Sequence, residues 1–240
     1  MIRGLDASSV QGMLPIAALD AAGCKFLIHK CQQGNDGKDP CFERNTSAAK
    51  NAGWKVGAYH FLYPLPHLDP LAQAEGFFKA STLGAASGEL PPALDLEWPD
   101  PDAGWANWGC TGPQICDWSR KCCERVAQLY GRKPMIYIYP YFAAKLRGRG
   151  ATGGDMSWLS DYPLWIASYA AKPVIPAPWS TWSMWQYDGN GGERMPNGGD
   201  ADFNRFNGDD AALEAFCQIS QPDRPADGCE GPAAIDIVNT

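Results

Sequence analysis

This chain is poor in histidine, has no zinc-type cysteine spacing, and lacks any long apolar run. Of its 3 His, His60 and His67 are too few and too far apart for a metal site. None of the 9 Cys forms a C-x2-C pair, so zinc spacing is missing. No metal and no other cofactor is therefore expected. No stretch of about 18 apolar residues occurs, which argues against a membrane span. The net charge is −7, the isoelectric point is near 4.9, and no Lys/Arg cluster exists. A nucleic-acid partner is thus not expected. Gly191-Gly192 and Gly198-Gly199 lack the strand-then-helix setting of a phosphate loop. No Ser or Cys sits in a recognisable nucleophile turn. The first residues, Met-Ile-Arg-Gly-Leu-Asp, contain no apolar core of a signal peptide, so no secretory signal is visible.

The 240 residues are 45% hydrophobic and 12% aromatic, with 10 Trp and 9 Tyr. That is enough for one sizeable domain. Strand-like and helix-like segments alternate. Strands are expected at Ile2–Asp6, Phe26–Lys30, Lys55–Leu62, Ala93–Trp98, Met135–Tyr139, Leu164–Tyr169 and Trp182–Tyr187. Helices are expected at Pro15–Ala22, Arg44–Ala52, from Asp69-Pro70 to about Leu83, Pro113–Tyr130, and about Asp210–Phe216. Such alternation implies a parallel sheet, and at this length a barrel is favoured over an open sheet. The helices thin out after Tyr169. The fold class is α/β, with residues 1–216 forming one barrel and 217–240 a tail. Cys217 and Cys229 bracket that tail, where a disulfide would pin it. Cys122 reads as an ordinary buried helix position. A monomer is expected.

The segment Ala93-Leu94-Asp95-Leu96-Glu97-Trp98 carries two carboxylates at i and i+2 in an apolar run. In a strand such residues share a face. Two buried acids side by side are unfavourable unless paired, protonated or used. The pair is a device for pushing one carboxyl towards the protonated form, as general acid chemistry requires. In a β/α barrel, active-site groups gather at the C-terminal ends of the strands. Asp6, Lys30, Tyr59, Asp95, Glu97, Tyr137, Trp165 and Gln186 stand at or near such ends, and Asp202 lies in the loop after the last. Carboxylates among aromatics point to glycoside hydrolysis, and aromatic faces with a polar edge suit sugar rings.

The stretch from Gly4 to Gly12 (GLDASSVQG) resembles the opening motif of the family 25 glycoside hydrolases, the Chalaropsis-type lysozymes. Phe26-Leu27-Ile28-His29-Lys30 with Gly34, then Asp39, Asn45 and Ala48 through Gly53, and then Gly57-Ala58-Tyr59-His60-Phe61 resemble its following segments in order. Pro91 through Glu97 is similar to its D-x-E centre. Pro134 through Tyr137, Pro163 through Ala167, Trp185-Gln186-Tyr187 and Asp202-Phe203-Asn204 complete a likeness spanning about residues 2–208. The resemblance implies a TIM-like barrel of (β/α)5(β)3 type with fewer than eight helices. It also implies hydrolysis of the β-1,4 bond between N-acetylmuramic acid and N-acetylglucosamine, with peptidoglycan glycan strands as the partner. By motif, Glu97 is the general acid. Asp95 stabilises developing charge or orients the 2-acetamido group, and Asp6 and Asp202 complete an acidic floor. Tyr59, Tyr137, Trp165, Gln186 and Lys30 line the sugar site. Action on the cell wall follows, after secretion or phage delivery.

Three features depart from the pattern. Cys31-Gln32-Gln33 follows the second-strand lysine. An aromatic insert, Asp100–Thr111 with Trp105 and Trp108, follows the catalytic strand and reads as a sugar-binding lid or a packed loop. Asp200 could compete with Asp202. Two alternatives stand beside the lysozyme reading. One is a catalytically silent glycan-binding barrel. The other is a chitinase-like glycosidase, against which Ala93 and Leu90 occupy positions where such enzymes carry further aspartates.

Overall fold

The computed structural model describes residues 1–148, 153–189 and 191–219. Eight strands close a barrel in chain order. The first ten elements alternate: β1 (Ile2–Ala7), α1 (Ile16–Ala21), β2 (Cys24–Gln33), α2 (Phe42–Asn51), β3 (Lys55–Phe61), α3 (Pro70–Ala80), β4 (Ala93–Asp95), α4 (Gly112–Tyr130), β5 (Met135–Ile138) and α5 (Pro140–Arg147). Then β6 (Leu164–Ala167), β7 (Met184–Asp188) and β8 (Asp202–Phe206) follow with no α-helix between them among the described residues, and α6 (Asp210–Cys217) comes last. This is the expected TIM-like barrel with five βα units and three further strands.

Local chemistry explains the helix ends. Asp69 caps α3 by accepting from Leu71 N at 2.9 Å, with Pro70 in the first turn. Thr111 and Gln114 form a reciprocal capping box on α4, whose last turn ends on Gly131 at φ 68°, a left-handed position suited to glycine.

The strands sort residues by alternation. Phe26, Ile28, Tyr59, Ala93, Met135, Tyr137, Trp165 and Met184 fill the barrel interior. Leu94, Ile136, Ile138, Leu164 and Ile166 face outward onto α3, α4 and α5, where they meet Phe77, Ile115, Cys122, Val126 and Phe142. Leu5, Leu27, Val56 and Phe203 pack under α1 and α2 with Leu19 and Ala49. Inside so narrow a barrel, a Cβ at Gly4 would lie 2.5 Å from the Phe26 ring. Glycine there makes room for a large interior side chain.

Four expectations are corrected. The sheet is not wholly parallel: β8 runs antiparallel to both β7 and β1. A parallel return needs a crossover, usually helical, and the Gly/Asn-rich chain between β7 and β8 turns straight back instead. Asp202 is consequently the first residue of a strand, not a loop residue. The fourth strand ends at Asp95, short of Trp98. In the β4–β5 register Glu97 would face Tyr139, which caps the start of α5 and lies beyond β5, so no ladder partner remains. Finally, α5 was not foreseen, because Tyr139-Pro140 reads as a strand end rather than as a proline-led helix start.

The eight cysteines among the described residues are all free thiols. Cys229 lies outside the described residues, and with it the expected pairing with Cys217.

Candidate active site

The inward-facing residues at the C-terminal mouth of the barrel converge. β1 brings Asp6, β2 Lys30, β3 Tyr59, β4 Asp95, β5 Tyr137, β6 Trp165 and β7 Gln186. Because β8 runs the other way, its first residue is the one at the mouth. Asp202 pairs directly with Asp6 in the ladder, and Asn204 follows two residues deeper on the same face. Glu97, one residue pair beyond Asp95, is half-buried above it, whereas Asp95 is buried.

A hydrogen-bonded network fixes the floor. Asp6 Oδ2 accepts from Gln186 Nε2 at 2.8 Å and from Asn204 Nδ2 at 2.6 Å. Gln186 Oε1 accepts from the hydroxyls of Tyr137 at 2.9 Å and Tyr169 at 2.8 Å. Trp165 Nε1 donates to Asn204 Oδ1 at 2.7 Å. The Trp165 ring also meets Tyr137 and Tyr59 edge-on, at centroid distances of 4.8 and 6.0 Å. Both amides thus use oxygen and nitrogen together, which locks their orientation. Asp95 Oδ1, by contrast, is buried and has no hydrogen-bond partner in the protein.

All four carboxyls hold their protons more tightly than usual. Burial first, and then the Asp202 charge, lifts Glu97 to about 7. Burial, then Asp188 and Asp200, lifts Asp202 to about 6. Asp95 is raised well above the usual carboxylate range by burial and then by Glu97 and Asp6, with Lys30 opposing. Asp6 is raised by burial and Asp202, against the hydrogen bonds from Gln186 and Asn204. The repulsion between Asp95 and Glu97 expected from their spacing is present in the folded site. Burial is the largest cause at Glu97, and the Asp202 charge, from a strand distant in sequence, adds to it.

The family model of glycosyl hydrolases family 25 matches residues 5–194. The chain belongs to this family. Lysozyme M1 of Streptomyces globisporus is 32% identical over 220 residues, covering 90% of this chain and 71% of the relative. The N,O-diacetylmuramidase of Chalaropsis sp is 30% identical over 193 residues, covering 77% and 87%. The crystal structure of the bacterial lysozyme from Streptomyces coelicolor superposes with a TM-score of 0.78 at 29% identity, over 90% of this chain and 96% of that one.

Asp200 is exposed and ion-paired with Arg194 at 2.7 Å, so it acts on Asp202 from outside rather than replacing it. Lys30 sits at the rim, its Nζ 3.3 Å from Gln33 Oε1. It lines a cavity of about 190 Å³ bordered by Asp36 and Asp39. Two residues of the network were not singled out as site residues, Asn204 and Tyr169. Reading 202–204 as a loop concealed the period-two signal that puts Asn204 beside Asp6. Among the described residues, no group of three or more His, Cys, Asp or Glu could hold a metal ion. No described helix is long and apolar enough to cross a membrane.

Proposed function

We propose that this chain is an N-acetylmuramidase that cleaves the β-1,4 bond between N-acetylmuramic acid and N-acetylglucosamine in peptidoglycan, acting as a monomer on the cell wall. One observation carries the reading: four carboxyls with raised proton affinity meet at one barrel mouth, floored by a locked amide–tyrosine network. The relatives named lysozyme and muramidase support the substrate class. Glu97, the more accessible of the central pair and still protonated near neutrality, donates its proton to the leaving oxygen. Asp95 lies deeper, and its unpartnered Oδ1 is an acceptor suited to an acetamido N–H. It orients that group as positive charge develops on the sugar. Asp202, lifted only to about 6, is ionised near neutrality and keeps the field at the mouth negative above Asp6, which stabilises an oxocarbenium-like transition state. Tyr59, Tyr137, Trp165, Gln186 and Lys30 shape the sugar site.

The test is digestion of defined peptidoglycan, with mass analysis of the fragments, by the wild-type chain and by Glu97→Gln. Fragments ending in reducing N-acetylmuramic acid are expected from the wild type. The mutant should lose about 10²–10⁴-fold in kcat while staying folded, the size of a general acid's contribution. Cleavage of chitin but not peptidoglycan, or full activity in Glu97→Gln, would refute the assignment.

A further inference from the structure

The insert between β4 and α4 is neither disordered filler nor wholly packed away. Trp105 anchors it: its Nε1 donates to Pro99 O at 3.2 Å, and its ring meets Phe142 edge-on. The Tyr141 hydroxyl, from α5, donates to Asp102. Trp98 and Trp105 both pack on the core under α4 and α5. Trp108 does not. It is 37% exposed, and its ring meets Trp98 at 4.7 Å between centroids, Trp98 in turn meeting Tyr63 at 4.8 Å. The Tyr63 ring lies over Gly34, occupying the space a Cβ would take there. Three aromatic rings, one from the loop after β3 and two from the loop after β4, therefore pack in series, with the first lying over Gly34 of the β2 loop.

The middle ring, Trp98, directly follows Glu97 in the chain. The insert's position beside the acid is corroborated by Tyr139, whose hydroxyl is pushed up to about 12 by burial and then by the charges of Glu97, Asp100 and Asp102. An exposed indole held on a braced loop is the face that stacks on a pyranose ring. Tyr169, half-exposed with its hydroxyl on Gln186, stands beyond Tyr137 at the barrel's other edge, so the mouth is flanked by aromatics on both sides.

We propose that Trp108, supported by Trp98 and Tyr63, forms an additional sugar subsite on the β3–β4 side, binding a unit of the glycan strand beyond the two that flank the scissile bond. This rests on the reading that the mouth cleaves a glycan. The subsite makes the enzyme favour long strands, because the remote contact adds binding that short fragments cannot reach.

The experiment compares kcat/KM on an octasaccharide and a tetrasaccharide of the peptidoglycan glycan strand. In Trp108→Ala the octasaccharide-to-tetrasaccharide ratio should fall about five- to tenfold, the size of one aromatic contact. Trp108→Phe should restore most of it, and circular dichroism checks that each variant is folded. An unchanged ratio in Trp108→Ala overturns the proposal. Binding of the same two fragments, measured by calorimetry in a Glu97→Gln background, reads the subsite without turnover. A fall in the affinity ratio there supports the subsite even if the wild type cleaves neither fragment, an outcome that would defeat the muramidase reading instead.

Discussion

At Glu97, burial and the Asp202 charge act in the same direction, so the folded chain binds a proton there more tightly than the unfolded one. The sign of the pH dependence follows. Below the unfolded value of 4.5 both states are protonated, and as pH rises from there through about 7 the folded state loses stability relative to the unfolded one. A shift from 4.5 to about 7 corresponds to roughly 3 kcal/mol of stability given up at alkaline pH. Glu97→Gln should therefore raise the melting temperature by several degrees at pH 8 and by little at pH 4, as scanning calorimetry would show. The same proton governs turnover. The wild-type rate should fall on the alkaline side with a midpoint near 7, because the acid must be protonated to act. At Asn204 the effect is different. Replacing it with Ala removes a donor to Asp6 and the acceptor for Trp165 Nε1. The expected loss is about 1–3 kcal/mol in urea unfolding, with kcat falling more than KM rises. The Asp95-x-Glu97 spacing was legible as a shared acidic face. The further charge that Asp202 brings to Glu97 was not, since Asp202 is over a hundred residues away.

Among the elements, α4 shows how much local sequence can decide. Its Thr111–Gln114 capping box, Pro113 and the terminal Gly131 bound a helix whose apolar stripe of Ile115, Cys122 and Val126 covers β4 and β5. Thr111→Ala should cost about 1 kcal/mol in chemical denaturation with no change in the rate on short fragments. The short elements behave otherwise. β4 has three residues and stops where its neighbour β5 gives way to α5. No pattern inside Ala93–Trp98 announces that boundary. β8 was hidden in the same way: Asp202-Phe203-Asn204 alternates as a strand should, but the Gly/Asn-rich stretch before it reads as one continuous loop. Only pairing with both β1 and β7 makes it a strand.

At the scale of the whole molecule, closure of the barrel is what builds the site. Residues from β1, β7 and β8 share one hydrogen-bonded floor although Asp6 and Asn204 lie at opposite ends of the barrel sequence. The antiparallel last strand delivers Asp202 to the mouth where a parallel one would have placed it at the far end. The amino-acid sequence by itself determined the alternation of strand and helix, the barrel class, the thinning of helices after Tyr169 and the residue types at the mouth. Those features follow from local periodicity, capping and apolar patterning, which operate over a few neighbouring residues. The tertiary structure alone decided the direction of β8, the Asp6–Gln186–Asn204–Trp165 network and the protonation of the acidic cluster. Each of these depends on burial and on distances between residues far apart in the chain, and such quantities exist only once the barrel has closed.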